Sequence, residues 1–412
     1  MPVPKLRFKR EDGTSYPEWE EKAITDLCES IVGGGTPSTD NKAYWSGNIA
    51  WVSSSDLENN NIRHLSMTRF ITEGAINNSA AKHIPCNSIL IVSRVGVGKV
   101  AIAPCELCTS QDFTNLVNPV CNPIFLGYLL SLTMQKKANG VQGTSIKGVT
   151  AKEIKQYHLS IPHTEEQKKI ADFLSTVDEV IAQSKAEVQN LEQQKKAAMQ
   201  KIFSQEVRFK REDGTDYPEW EETDLNSIGS FYGGLSGKTK ENFGKGNSKF
   251  VTYMNVYKNV FASQEMLEFV DVSDNEKQNK VQYGDLLMTQ SSETVEEVGM
   301  SSVYLFRDEP YLNSFCFGLH LHNLDYTNPM YVGYLMRSKS IRKQIMSEGQ
   351  GISRINLSPN RIRGIILPIP CLEEQQKIAD FLSAYDEAIS YAKQELDKWK
   401  ELKKGLLQQM FV

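Results

Sequence analysis

The sequence of 412 residues lacks any hydrophobic run long enough to cross a membrane. Its longest apolar stretches, such as FLGYLLSL at residues 125–132, fall short of the roughly 18 residues that a spanning helix needs. The opening residues, MPVPKLRFKRED, contain no apolar core typical of a signal peptide. We therefore expect a soluble protein of the cytosol.

Cysteine is also scarce, because the whole chain has only seven. An odd, sparse set in a chain of this length favours free thiols in a reducing compartment over a disulfide framework. The pair Cys105 and Cys108 has the spacing of half a zinc site, with His83, Cys86 or Cys121 as remote ligands. One such pair without a second is weak evidence for zinc, so thiols are the expectation.

The chain has no excess of positive charge, since 46 Lys and Arg against 51 Asp and Glu give a net charge of -5. That balance argues mildly against a nucleic-acid partner. However, residues 29–158 hold 11 basic and 8 acidic side chains, residues 229–366 hold 15 and 14, and the remainder holds 20 and 29. A polyanion would therefore meet the protein through these two blocks.

An internal repeat organises the chain. Residues 7–21 (RFKREDGTSYPEWEE) recur at residues 208–222 with fourteen of fifteen positions identical. A second repeated pair, at residues 159–181 and 367–389, shares EEQ(K/Q)KIADFLS. The sequence is thus two copies of one unit of about 205 residues, whose interiors have diverged between similar borders.

Each interior predicts a mixed α/β domain. Apolar, β-branched runs bounded by Gly, Pro and Asn indicate strands at residues 48–53, 88–92, 99–103, 249–254, 285–289 and 301–306. An Asn-Pro pair then predicts a helix that begins at Pro123 in the first copy and at Pro329 in the second.

The tail of each copy predicts a long helix of about 39 residues, from about Glu165 and from about Glu373. Steps of four and three place a coiled-coil seam on each helix, with a lysine at the same step, Lys195 and Lys403. The apolar seam residues are Leu174, Val177, Ile181, Val188, Leu191, Leu382, Tyr385, Ile389, Leu396 and Trp399. We expect the helices to pair with each other in antiparallel fashion, although the sequence does not exclude a parallel pair.

These features predict four segments. The first globular domain with its repeat segment covers residues 1–163, and the central helix covers residues 164–206. The second globular domain covers residues 207–371 and the last helix residues 372–412. The expected architecture is two mixed α/β domains separated by two long antiparallel helices, with a pseudo-twofold repeat.

The residues resemble the specificity subunit of type I restriction-modification enzymes over the whole chain. The resemblance is carried by GGGTPSTDNKAYWSGNIAWVSSSDL at residues 33–57, by GTSIKGVTAKEIKQYHLSIP at residues 143–162, and by the two EEQ(K/Q)KIADFLS helix starts. The second copy departs from this pattern, because LSGKTKENFGKGNSKFVTYMNV at residues 235–256 lacks the Thr-Pro-Ser and Trp landmarks. A different half-site is expected for that copy.

The resemblance implies a non-catalytic subunit in which each globular domain, a target recognition domain, reads one half of a split target in double-stranded DNA. The paired helices would set the gap and dock two adenine methyltransferase subunits, which bring two restriction subunits. S-adenosylmethionine, ATP and magnesium would then belong to those partners, and no metal or cofactor to this chain.

Candidate DNA contacts follow from the chemistry of recognition, in which Arg pairs with guanine, Asn or Gln pairs with adenine, and Lys binds phosphate. In the first copy the candidates are Lys42, Ser53, Ser54, Ser55, Arg94, Lys99 and Lys147. In the second they are Lys238, Lys240, Lys245, Tyr253, Asn255, Gln290, Arg354 and Arg361.

Other chemistry is less well supported. The run Gly96 to Val100 fails the phosphate-loop pattern and reads as a turn between strands. No loop of the adenine-methyltransferase type is present. Glu153 and Lys155 with Asp112 could imitate a metal-dependent nuclease site, which makes a self-sufficient nuclease the alternative, but Glu153 corresponds to Arg361 in the other copy. A scaffold that binds only proteins is a third possibility.

Overall fold

The computed structural model describes residues 4–140, 148–273 and 275–411. It divides into two compact units. The first comprises Met1–Lys185 with Gln394–Val412, and the second comprises Ala186–Lys393. Each unit therefore holds one globular block together with the beginning of one long helix and the end of the other.

The first unit is a mixed α/β structure. Its elements are β1 (Glu20–Ala23), β2 (Cys28–Gly33), β3 (Ile49–Val52), β4 (Phe70–Ile71), α1 (Glu73–Asn77), β5 (Ile89–Val92), β6 (Val100–Ile102), β7 (Cys108–Thr109), β8 (Phe113–Pro119), α2 (Pro123–Gly140), α3 (Ala151–Lys155), β9 (His158–Ile161) and the start of α4 (Thr164–Phe203). The sheets have the orders β2-β8-β5-β6, β4-β3-β7 and β1-β9.

The second unit contains the corresponding elements. They are β10 (Glu221–Asp224), α5 (Leu225–Ile228), β11 (Gly229–Gly233), β12 (Phe243–Val251), α6 (Tyr253–Lys258), β13 (Leu267–Val270), β14 (Leu286–Thr289), β15 (Ser291–Ser292), β16 (Ser301–Val303), β17 (Tyr311–Leu312), β18 (Cys316–Leu321), α7 (Pro329–Met336), α8 (Lys339–Ser347), β19 (Ile355–Asn356), α9 (Pro359–Ile362), β20 (Ile366–Ile369) and α10 (Leu372–Met410), which ends in the first unit.

Both units share one sheet topology. The orders β11-β18-β14-β16, β13-β12-β17 and β10-β20 repeat those of the first unit strand for strand, and the pair β15-β19 is an addition. The predicted mixed α/β fold and internal repeat are confirmed. Two predicted strands are wrong at their ends. The strand predicted at residues 249–254 stops before Thr252, which caps α6 by accepting a hydrogen bond from the Asn255 amide, and the strand predicted at residues 301–306 ends at Val303.

The landmarks that survive in both copies meet at the start of each long helix. Asn122 caps α2 through the amides of Ile124 and Phe125, and its own amide donates to the Gln167 side chain. The Gln167 amide group in turn donates to the Pro162 carbonyl. The Asn-Pro, Ile-Pro and Glu-Glu-Gln motifs are therefore parts of one buried junction.

The second unit builds the same junction from its own copy of these residues. The Asn328 amide donates to the Gln375 side chain at 2.8 Å, and Gln375 donates to the Pro370 carbonyl. Asn328 also caps α7 through the amides of Met330 and Tyr331. The two junctions explain why these positions stay alike while the interiors diverge.

The repeated N-terminal segment is fastened to the same helix start. Arg7 forms a salt bridge of 2.7 Å with Glu166, whose side chain is fully buried, and also donates to the Pro17 carbonyl. In the second unit Arg208 pairs with the buried Glu374 at 2.9 Å. A buried carboxylate without its arginine would be costly, so this pair holds the segment in place.

The long helices run antiparallel within each unit. In the first, Lys403 of α10 bonds Asp178 of α4, while Met410 further along α10 packs in one core with Ile170 earlier in α4. In the second, Lys195 of α4 bonds Asp386 of α10. Every predicted seam residue is buried or half-buried.

The seam lysines are the polar centres of these helix pairs. Lys403 is 8% exposed, its Nζ lies 2.5 Å from Asp178 Oδ1, and it lies over the Tyr128 ring, whose hydroxyl also donates to Asp178. Burial, and then the carboxylate of Asp178, raise the pKa of Tyr128. The phenol therefore stays protonated and acts as a donor.

The second unit repeats the arrangement with other residues. Lys195 Nζ lies 2.5 Å from Asp386 Oδ1 and 4.9 Å from the Tyr334 ring centroid, and Tyr334 donates to the same carboxylate at 2.7 Å. Each lysine that interrupts the apolar seam is thus paired with an aspartate of the other helix.

We predict that Asp178→Ala lowers the free energy of unfolding by on the order of 3 kcal/mol, because it leaves the ammonium of Lys403 buried without a counter-charge. Urea denaturation measures the change. The matched control, Asp397→Ala, breaks an exposed pair with Lys400 on α10 and should lower stability by less than about 1 kcal/mol.

Adding Lys403→Met to the Asp178→Ala variant should recover most of the loss, since no charge then remains buried. Equal losses for Asp178→Ala and Asp397→Ala would contradict the structural role of the buried pair.

Candidate nucleic-acid interface

Each unit contains a cleft at the same place in its four-stranded sheet. In the first unit a cleft of about 730 Å³ opens where β5 ends and β8 begins. Its lining includes Arg94 and Gln111, together with the residues that lead into α3. In the second unit a cleft of about 340 Å³ opens where β14 ends and β18 begins.

Equivalent backbone supports both clefts. The Ser93 amide donates to the Asp112 carbonyl at 2.8 Å, and the Gln290 amide donates to the Phe315 carbonyl at the same distance. Strand register makes these positions equivalent, since Val92 pairs with Phe113 as Thr289 pairs with Cys316. Asp112 and Phe315 therefore occupy one position of a shared frame and carry unlike side chains.

Glycine is required at an equivalent position of each unit, which lies in the cleft lining of the first unit. A Cβ on Gly34 would lie 2.2 Å from the Ser110 carbonyl oxygen, and one on Gly234 would lie 2.1 Å from the Asn313 carbonyl oxygen. The Gly-rich turn that the sequence shows in both copies is thus explained by close backbone contact.

Several predicted contacts of the first unit are held by the protein itself. Lys99 donates to the carbonyls of Ser54 and Leu57, which fixes the serine turn that follows β3. The Ser53 hydroxyl accepts a hydrogen bond from Arg69 at 2.7 Å. The Ser53 amide donates to the Asp56 carboxylate, and this bond caps the turn. The turn between β5 and β6 is the predicted strand-to-strand turn, and Lys99 at its end bonds it to the serine turn.

The other first-unit candidates are more open. Lys42 and Ser55 are exposed, and Arg94 is exposed at the cleft. Lys147 lies outside the described residues. Contact of these side chains with DNA stays a prediction.

In the second unit Lys240, Lys245, Gln290 and Arg354 are exposed. The structure does not support Asn255 as a surface contact, because it is fully buried and its amide bonds the Ser263 backbone.

Two further basic candidates of the second unit are paired. Lys238 has a side chain only 4% exposed, 2.6 Å from Glu276, and Arg361 pairs with Glu348 at 3.2 Å. DNA contact by either residue would first require its ion pair to open.

The cleft of the second unit also contains residues that sequence reasoning missed. Tyr253, a predicted contact, donates to the Ser291 carbonyl and stacks on Tyr257. Beside it lie Met254 and Phe315, which are 42% and 59% exposed. Alignment of the two copies contains the signal that could have pointed to Phe315, because the equivalent loop position in the first copy is the charged Asp112.

The residues considered for a nuclease site or a zinc site are bonded to other parts of the protein. Glu153 caps α3, since its carboxylate accepts the Thr150 amide and hydroxyl, and these bonds lower the pKa of Glu153. His83 lies between Glu73 and Glu106. Across residues 4–140, 148–273 and 275–411, no group of three or more His, Cys, Asp or Glu is arranged to hold a metal ion.

Each unit also carries the same surface where the repeated segment meets the long helix. In the first unit Tyr16 lies between Arg10 and Lys169, and Phe8 packs edge-to-face on the exposed Phe173. In the second unit the same contacts join Tyr217, Arg211, Lys377, Phe209 and Phe381. We call these two surfaces the repeat patches.

In the part of the chain that the structure describes, no helix is long and apolar enough to cross a membrane.

A family model described as the type I restriction modification DNA specificity domain matches residues 16–193 and again residues 210–400.

Two curated proteins of Methanocaldococcus jannaschii are similar. The type I restriction enzyme MjaIX specificity subunit is 37% identical over 194 residues, which is 45% of this chain and 44% of that protein, so the match spans less than half of that relative. The putative type I restriction enzyme MjaX specificity subunit is 26% identical over 436 residues, 97% of this chain and 94% of that protein.

Among solved structures, the S subunit of a type I restriction-modification system from M. genitalium matches with a TM-score of 0.56. The sequences are 16% identical, and the match covers 100% of this chain and 99% of that one. At this identity the likeness concerns the fold.

The ion pair of Lys238 predicts a pH effect. The hydrogen bond from Lys238, helped by the Ser273 amide, lowers the pKa of Glu276 to about 2. Its contribution to stability is thus present above the ordinary pKa of about 4.5 and is lost as the pH falls toward 2. Between about pH 5 and pH 3, the free energy of unfolding should fall less steeply for Glu276→Gln than for the wild type.

Urea denaturation at each pH makes the comparison. Glu309→Gln, which removes the carboxylate of an exposed pair with Lys280 at 3.5 Å, is the matched control. An identical acid slope for the wild type and Glu276→Gln would refute the role given to this pair.

Proposed function

Because this chain belongs to the family of type I restriction-modification DNA specificity proteins, we propose that it is the subunit that selects the DNA target of such a complex. The first unit reads one half of a split sequence and the second unit reads the other. The observation that carries the proposal is the pair of clefts, which lie against equivalent backbone of the two units but are lined by unlike side chains, such as Arg94 and Gln111 in the first and Tyr253 and Phe315 in the second.

Two kinds of contact support DNA as the ligand. Exposed cations such as Lys42, Lys240 and Lys245 suit phosphate, which gives affinity without sequence preference. Arg94 and Arg354 lie at the clefts, where a guanidinium can bond the O6 and N7 atoms of guanine. The phosphate contacts position the protein and the clefts discriminate between bases.

The repeat patches support a second proposal, that two identical partner subunits bind this chain. The two patches have the same residues, whereas the interiors of the two copies differ. This pattern suits two identical partner molecules, each bound at one patch. We propose adenine methyltransferase subunits at these patches and, through them, two restriction subunits.

In this proposal the chain itself is not an enzyme. S-adenosylmethionine, ATP and magnesium are bound by the partner subunits, and the complex acts in the cytoplasm. Nothing in the described residues favours the nuclease alternative, since Glu153 is engaged as a helix cap.

The test of target selection is a single-molecule map of adenine methylation in cells that carry this chain with its methyltransferase partner, compared with cells that lack the chain. We expect a split motif that disappears on deletion, because the partner alone has no means to select the site. Identical maps would refute the proposal.

The test of docking is Phe173→Asp combined with Phe381→Asp. Both rings are 38% exposed, so the fold should tolerate the changes while a desolvated charge weakens partner binding by at least about tenfold. Analytical ultracentrifugation with the methyltransferase measures assembly. Tyr391→Asp, which changes a more exposed aromatic residue of α10 outside the patches, should assemble normally; unchanged assembly of the double variant would exclude the patches.

A further inference from the structure

The cleft of the second unit exposes an unusual amount of apolar surface beside polar groups. Phe315 is 59% exposed and Met254 is 42% exposed, and both line the cleft with Tyr253, Tyr257 and Arg354. An exposed apolar patch rimmed by polar residues is typical of a binding site.

The walls of this cleft are fixed from behind. Arg337 donates to the carbonyls of Val256, Tyr257 and Asn259 at the end of α6, and to that of Ser301. Its bonds run to backbone oxygens while the residue is half-buried, and this burial lowers the pKa of Arg337 to about 10. The arginine therefore holds the helix that carries Tyr253 and Met254.

A second arginine fixes the wall formed by the loop that follows β15. Arg342 of α8 donates to the carbonyls of Glu296, Val298 and Gly299, in the loop that follows β15. The same loop carries Glu293 and Glu297 into the cleft. Both walls are thus held at their backbone, which suits a site that must discriminate by shape.

The charges of the cleft indicate which part of DNA it faces. Glu293 and Glu297 lie in its lining, and carboxylates repel the phosphate backbone. Tyr257 donates to Glu297, and the exposed guanidinium of Arg354 is the basic group of the lining. The cleft is therefore suited to base edges, and the exposed Lys240 and Lys245 to phosphate.

Among base edges in the major groove, the 5-methyl group of thymine is the apolar feature, and side chains such as Phe contact it. We infer that Phe315 and Met254 form the contact for a thymine methyl group in the half-site of the second unit, with Arg354 beside it for a neighbouring base. The inference rests on the proposed function and names the feature of the half-site that this unit reads.

The experiment uses the assembled complex with its methyltransferase partner and a duplex that contains the mapped target. Each thymine of both half-sites is replaced singly by uracil, which lacks only the methyl group. Wild-type affinity should fall about fourfold at one position of one half-site, the factor that corresponds to one buried methyl group.

Phe315→Ala tests whether that methyl group meets this side chain. The variant should bind the thymine and uracil duplexes equally at the position where the wild type discriminates between them. At every other position, uracil should have the same effect on the variant as on the wild type. Phe269→Ala is the matched control, since Phe269 is 50% exposed on β13 of the same unit but outside the cleft, and it should keep the wild-type discrimination.

Two outcomes would overturn the inference: uracil without effect on the wild type at every thymine position, or a uracil effect that survives in Phe315→Ala. Each leaves the proposed function standing, because the target is already mapped. A methylation map that does not depend on this chain would instead overturn the proposed function, and the inference with it.

Discussion

The buried lysine of each helix seam, bonded to an aspartate of the other long helix, is the interaction on which the paired helices depend. Sliding one helix against the other would separate Lys403 from Asp178 and leave both groups without a counter-charge, a penalty that apolar seam residues do not impose. Apolar contacts favour association at many offsets, whereas this bond specifies one. Each long helix also begins at the junction of its own globular block, at Gln167 in one unit and Gln375 in the other.

Much of this architecture could be predicted from the sequence, because repeated motifs and heptad spacing are local signals. The long helices begin within a residue of the expected positions, and the helices at Pro123 and Pro329 are present. Other features depended on partners distant in the chain. Lys195 and Lys403 look like interruptions of a seam until Asp386 and Asp178 are placed beside them.

The candidate site was harder to predict for the same reason. A lysine in a polar loop has the same local sequence whether it faces solvent, as Lys245 does, or bonds Glu276, as Lys238 does. The sequence prediction looked for DNA contacts among polar residues and therefore missed Phe315. This side chain is exposed in the loop just before β18. The mistaken strand end at Tyr253 arose because an apolar, aromatic run fits a strand or a capped helix equally well.

The composition of the two units has a consequence for the order in which the chain folds on the ribosome. The second unit is a continuous stretch, Ala186–Lys393, and can close its core while synthesis is still under way. The first unit, although made first, needs Met410 and Phe411, which pack against Trp19 and Phe125. The core of the first unit is therefore incomplete, and open to chaperones, until Met410 and Phe411 have been synthesised.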